Sequence, residues 1–179
     1  MRFVDFLKAT VMLSGGAATA LAVVTVLAAG ADADTLLVFV VAGWWVVAVL
    51  VGTFLGRRAD TSPPISRLLA GARSTTTLPE QQPSRILVNR LWPLALTTLL
   101  GIGLALVAPQ IPGIAAGFAI VWALAWRRQD SAVAAIEDRD GVAFYIEPTS
   151  PLRPIRLVRT PGFRRDLTPV TPNGHAPSP

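Results

Sequence analysis

The composition of this 179-residue chain is that of a membrane protein, since 52% of its residues are hydrophobic and only 15% are charged, against about a quarter in soluble domains. It contains no cysteine, which excludes disulfide frameworks, thiolate metal sites and cysteine nucleophiles. The net charge of +5 is typical of inner loops that face anionic lipid, so we do not predict nucleic-acid binding.

Four apolar segments have the composition of transmembrane helices. They are Thr10–Ala29, Thr35–Leu55, Leu91–Ala108 and Ile111–Trp126. The first two are long enough to cross a hydrocarbon core of about 30 Å, whereas the fourth needs a thinner bilayer or snorkelling arginines. The fold class that we predict is an all-α membrane protein whose four helices form two hairpins, within residues 1–56 and 91–126.

All 16 lysines and arginines fall on one side of these segments. They occur before the first segment, between the second and third, and after the fourth, while residues 30–34 and 109–113 contain none. Because positively charged loops resist translocation, this side is predicted to be the cytoplasm. The expected location is the cytoplasmic membrane, with both chain ends inside.

The first apolar segment also resembles a signal peptide. Arg2 and Lys8 precede it, and the small residues Ala29, Gly30 and Ala31 follow it. However, its apolar run exceeds the usual ~7–15 residues, and the residues before it are themselves largely apolar. A retained helix is therefore favoured, and cleavage would leave the orientation of the other three segments unchanged.

Pairs of glycines four residues apart mark two of the segments. Gly52 and Gly56 form one pair, and Gly113 and Gly117 form the other. Such spacing lets helices approach closely in lipid, so we predict that these four residues pack helices together. An incidental origin stays open, because glycine is frequent in transmembrane helices. Trp44 and Trp45 lie mid-segment, and we expect them to fill gaps between helices.

The predicted cytoplasmic loop, residues 57–90, is rich in proline and polar residues, so most of it is expected to be irregular. Within it, Ile65, Leu68 and Leu69 recur at helical spacing. One or two turns of interfacial helix and a plain loop both fit this pattern.

Residues 127–166 are predicted to form a basic cytoplasmic segment with a small β-hairpin. Its strands would be Ser131–Glu137 and Val142–Glu147, joined by a turn that ends in Asp140-Gly141, since Asp-Gly favours hairpin turns. Two strands alone are marginally stable in water. The hairpin is therefore expected to lean on the membrane surface, the middle loop or a partner.

Arginines recur at every third position after this hairpin. Arg153, Arg156 and Arg159 would line one edge of a polyproline II strand. With Arg164 and Arg165 they form a basic patch, which we predict to bind anionic lipid headgroups or an acidic protein surface. An ordinary positive-inside tail is the alternative. Residues 167–179 are rich in proline and are predicted to be disordered.

No catalytic, cofactor or metal site is predicted. The single histidine, His175, lies in the proline-rich terminus without a partner for metal or triad chemistry. No glycine-rich phosphate-binding motif is present. The four apolar segments contain no ionisable side chain, which coupled transporters require.

These observations predict a non-enzymatic membrane subunit or scaffold that binds other proteins through its helices and basic tail. The partner would be an unidentified protein or a second copy of the chain. An oligomeric channel or passive permease is the alternative. A weaker alternative is a membrane-bound enzyme that uses carboxylates near the predicted hairpin: Glu137, Asp138, Asp140 and Glu147.

Overall fold

A computed structural model describes residues 1–31, 35–57, 60–75, 82–108, 110–147 and 153–161. These residues are mostly helical and include a small three-stranded sheet. The helices are α1 (Phe3–Ala31), α2 (Thr35–Leu55), α3 (Pro63–Ala70), α4 (Pro83–Leu104), α5 (Gln110–Trp126) and α6 (Gln129–Asp140). The strands are β1 (Arg73–Ser74), β2 (Val142–Ile146) and β3 (Leu157–Pro161).

Three of the helices, α1, α2 and α4, are long and apolar enough to cross a membrane. Both α1 and α4 begin earlier than predicted, at Phe3 and Pro83. The predicted segments were bounded by charged residues, but the first turns of both helices pack into a hydrophobic core. The fourth predicted segment forms α5. Its 17 residues extend about 25 Å, which is less than the ~30 Å hydrocarbon core.

The central helix of the bundle is α5. It packs along α1 on one side and along α2 on the other, whereas α1 and α2 make few contacts with each other and α4 lies against α1 and, less extensively, against α5. Small buried residues on α5, among them Gly113, Ala116 and Gly117, allow both neighbours to approach. The two predicted hairpins are therefore interleaved, in the order α2–α5–α1–α4.

Close contacts fix the direction of the helices. Along the α2–α5 contact, Val41 lies beside Gly113 and Gly56 lies beside Leu124, so these two helices run in the same direction. The cytoplasm-facing ends of the predicted segments consequently gather at one end of the bundle, together with α3, α6 and the sheet. We call this the basic end (the described parts of residues 1–8, 56–90 and 126–161).

A compact hydrophobic core lies at the basic end. Its most buried members come from separate elements: Phe3 and Leu7 of α1, Ile65 of α3, Val133 of α6 and Ile146 of β2. The strand order is β1-β3-β2, with β2 antiparallel and β1 parallel to β3. The N–H of Ile146 also donates to the carbonyl oxygen of Met1 (3.2 Å). The first residues of the chain are thus part of this core.

The predicted strand Ser131–Glu137 is wrong, because these residues lie in helix α6. The alanines of this segment favour a helix. Its buried residues recur at helical spacing, and they are Gln129, Ala132, Val133 and Glu137. Gly141 ends the helix at φ 63°, a left-handed conformation common after helix C-termini. The second predicted strand forms as β2, but its partner is β3 instead of the preceding residues.

For the middle loop, a short helix and a plain loop were both predicted as alternatives. The structure contains the helix, which is α3. Strand β1, from the same loop, pairs with β3, so the loop contributes to the sheet. The predicted disordered terminus, residues 167–179, lies outside the described residues.

Candidate functional site

The four glycines predicted to pack helices all lie in the contact between α2 and α5, and we call this set the glycine seam. A methyl group on Gly52 would lie 2.8 Å from Cβ of Leu124, and one on Gly113 would lie 2.9 Å from Cγ2 of Val41. A methyl group on Gly56 would meet the carbonyl oxygen of Leu124, and one on Gly117 the indole of Trp44. The seam therefore joins helices of the same chain.

Two indole groups strengthen the glycine seam. Nε1 of Trp45 donates to the carbonyl oxygen of Gly113 (2.9 Å), and Nε1 of Trp44 donates to that of Ile114 (3.2 Å). The ring of Trp44 also packs edge-on against Phe118, with 5.4 Å between the ring centroids. Both tryptophans lie between helices, as expected. Their hydrogen bonds were not predicted, because a carbonyl inside a helix is normally assigned to its own helix.

The predicted basic patch is only partly regular in structure. Arg153, Arg156 and Arg159 are all exposed, while Arg164 and Arg165 lie outside the described residues. Arg159 lies in β3, opposite Phe144 of β2. The polyproline II expectation is therefore wrong from residue 157 onward, where backbone pairing with two strands imposes an extended β conformation. We call residues 153–161 the basic segment.

The start of the basic segment is attached to α4. Nη1 of Arg90 donates to the carbonyl oxygen of Arg153 at 2.5 Å. Arg90 immediately precedes Leu91, where the uncharged part of α4 begins. The contact thus holds Arg153 beside the boundary between the charged and the apolar parts of that helix.

A buried carboxylate, that of Glu137, joins three parts of the basic end. It is 3% exposed, and its Oε1 accepts the N–H of Phe144 at 2.8 Å. Its Oε2 accepts a hydrogen bond from the guanidinium of Arg2, which raises the pKa of Arg2. This pair could not be predicted with Glu137 placed at the end of a strand.

The junction between α5 and α6 fixes the loop before α3. Oε1 of the buried Gln129 accepts the N–H of Ser62 (2.9 Å), and its Nε2 donates to the carbonyl oxygen of Asp60 (3.4 Å). Nη1 of Arg128 donates to the carbonyl oxygen of Arg57, at the end of α2. These side chains tie the ends of α2 and α5 together at the basic end.

Two of the carboxylates considered for catalysis, those of Glu137 and Asp140, are bonded to arginines. Asp140 accepts a hydrogen bond from Nε of Arg139 at 2.8 Å, which lowers the pKa of this carboxyl group. Asp138 is exposed, and Glu137 is engaged with Arg2. In the part of the chain that the structure describes, no three histidine, aspartate or glutamate side chains are grouped as a metal site requires.

Comparisons with known proteins give no match from which a function could be proposed. The candidate features are therefore the glycine seam, the Glu137 carboxylate and the exposed basic segment. No protein-family model, no curated protein and no solved structure matches the chain.

Proposed function

We propose that the protein is a non-enzymatic subunit or scaffold of the cytoplasmic membrane, with four spans and both ends in the cytoplasm. Helices α1, α2 and α4 have the length for this. Although α5 is shorter, it packs between α1 and α2 and so shares their depth in the bilayer. With the basic end inside, the charges obey the positive-inside rule.

The observation that carries the proposal is the support given to the exposed arginines. Strand β3 is paired on one side with β2 and on the other with β1, and Arg90 holds the carbonyl oxygen of Arg153. The side chains of Arg153, Arg156 and Arg159 point from this ordered frame into solvent. Exposed guanidinium groups on an ordered backbone suit carboxylates, with which arginine forms charge-assisted, bidentate hydrogen bonds.

The proposed partner of the basic segment is therefore an acidic surface of another membrane or membrane-associated protein. Anionic lipid headgroups surround the contact and contribute about 1 kcal/mol per basic group. The glycine seam is occupied within the chain, so the partner would meet the basic segment and the outer faces of the helices. This narrows the interface predicted from sequence.

The test is co-purification of the full chain from its own membranes in mild detergent, with quantitative mass spectrometry. The variant replaces Arg153, Arg156 and Arg159 by glutamine. The matched control replaces three other exposed arginines of the basic end, Arg67, Arg85 and Arg139, and so removes the same charge.

We expect one protein at near-equal amounts with the wild-type chain, released as salt rises because exposed charges are screened beyond about 8–10 Å. It should be lost from the first variant and kept by the control. If no protein is present in such amounts, or if both variants lose it equally, the proposal is wrong.

A further inference from the structure

A cavity of about 340 Å³ lies at the basic end, where α1, α3, α4 and α5 meet. Small-molecule sites usually enclose about 300–1,000 Å³, so it is large enough for part of a ligand. Its walls are mainly apolar, and α5 contributes Trp122 and Trp126, whose rings stack with centroids 5.2 Å apart.

The hydroxyl group of Ser14 lines this cavity and is the first sign of a ligand. Ser14 is 1% exposed, and among the described residues its Oγ has no hydrogen-bond partner. Two other hydroxyl groups of α1, those of Thr10 and Thr25, bond to the carbonyl oxygens of Phe6 and Leu21, as helix hydroxyls usually do. A buried hydroxyl without a partner is unfavourable, so a polar ligand atom would complete this site.

Arg90 lines the same cavity, and its guanidinium also holds the carbonyl oxygen of Arg153. Both α1 and α4 begin at the basic end. Along α4 the lining of the cavity starts at Arg90, and along α1 it ends at Ser14, about one helical turn beyond Thr10. The cavity thus offers a cation first, then a hydroxyl donor, within apolar walls.

We propose that this cavity binds one anionic phospholipid of the cytoplasmic leaflet. The phosphate meets Arg90, an ester carbonyl oxygen accepts the hydrogen bond of Ser14, and the first part of an acyl chain lies against Leu94 and Trp122. Phosphate, ester and chain follow one another in this order from the membrane surface inward, which matches the order of the protein groups. The inference rests on the proposed orientation, with the basic end in the cytoplasm.

The test is native mass spectrometry of the full chain in mild detergent. The delipidated protein is titrated with an anionic phospholipid, with a zwitterionic phospholipid of the same chains, and with inorganic phosphate. We expect a single anionic lipid to remain bound under activation that removes other lipids, with weaker zwitterionic binding and no phosphate adduct. A phosphate adduct of equal strength, or lipid binding that ignores headgroup charge, would overturn the proposal.

Two variants and their controls locate the site. Arg90→Gln should weaken binding of the anionic lipid roughly tenfold or more, because it removes a charged donor, and Ser14→Leu should abolish binding by filling the cavity. The controls are Arg85→Gln and Thr19→Leu, which change exposed residues of the same two helices and should bind as the wild type does.

Thermal unfolding separates lost binding from lost folding. Without lipid, Ser14→Leu should unfold no earlier than the wild type, because it replaces an unpaired hydroxyl by apolar atoms. With anionic lipid, the wild type and the controls should shift upward, Arg90→Gln should shift less, and Ser14→Leu should not shift. Equal shifts in all four variants would refute this site. Loss of the partner protein in the co-purification experiment would leave these lipid-induced shifts in unfolding temperature unchanged. Each proposal can therefore fail without the other.

Discussion

At the glycine seam, α2 and α5 can lie close together because the side chain of each glycine is a single hydrogen atom. In lipid there is no hydrophobic force between helices, so packing at such positions decides association. From their spacing in the sequence, Gly52 with Gly56 and Gly113 with Gly117 could be predicted to pack helices. That each pair packs against the other pair's helix could not, because spacing along one helix carries no information about the helix opposite.

The first prediction concerns the size of the seam residues. Gly56→Ala and Gly117→Ala should each lower the free energy of unfolding in detergent by about 1–3 kcal/mol, because an added methyl group collides with backbone or with an indole ring. Denaturant titration followed by circular dichroism would measure this.

Two other helical glycines give a matched control. A methyl group on Gly43 of α2 or Gly103 of α4 would meet no atom within 4 Å. Gly→Ala at these positions should be neutral or stabilise by up to about 1 kcal/mol, through helix propensity. The packing account fails if alanine has the same effect at all four sites.

The second prediction concerns Glu137. Glu137→Ala leaves the N–H of Phe144 buried without its acceptor and Arg2 without its partner, so it should cost roughly 1–3 kcal/mol of unfolding free energy. Glu137→Gln keeps an acceptor for Phe144 and should cost less. Asp138→Ala, at the exposed neighbouring position, should change little. An Asp138→Ala effect as large as that of Glu137→Ala would show that the buried contacts are unimportant.

Among the elements, α6 shows where sequence reasoning failed and why. The Asp140-Gly141 pair fits both a hairpin turn and a helix end, and the alternation of the residues after it predicted β2 correctly. The residues before it are rich in alanine and have helical periodicity, which was the signal that went unused. The pairing of β2 with β3 joins residues that are distant in sequence, such as Val142 with Pro161, so no local pattern could reveal it.

The third prediction concerns the start of α1. Phe3 and Leu7 are each 2% exposed in the core of the basic end, and Arg2 pairs with Glu137. Removal of this helix as a signal peptide would open that core. We therefore expect mass spectrometry of the protein from membranes to find residues 1–31 still joined to the rest of the chain. A product that begins near Ala31 would show cleavage instead.

For the whole molecule, the sequence predicted which segments are helical and apolar but not their spatial order. The order α2–α5–α1–α4 follows from the small residues of α5, which accept a neighbour on each side. This central position also bears on the channel alternative, since the middle of a single copy is filled by a helix. A pore would therefore require several copies.

The central claim is that four helices cross the membrane with the basic end in the cytoplasm. The chain contains no cysteine, so single cysteines at exposed positions report their own side of the membrane to an impermeant maleimide. Gly30→Cys and Gln110→Cys test the outer turns, and Ser74→Cys and Asp138→Cys test the basic end.

In sealed cells that expose the outer face of this membrane, we predict labelling at residues 30 and 110 only. Residues 74 and 138 should react only after the membrane is permeabilised. If residue 110 is protected until permeabilisation while residue 30 reacts, then α4 and α5 do not form a spanning pair and the four-span account is wrong.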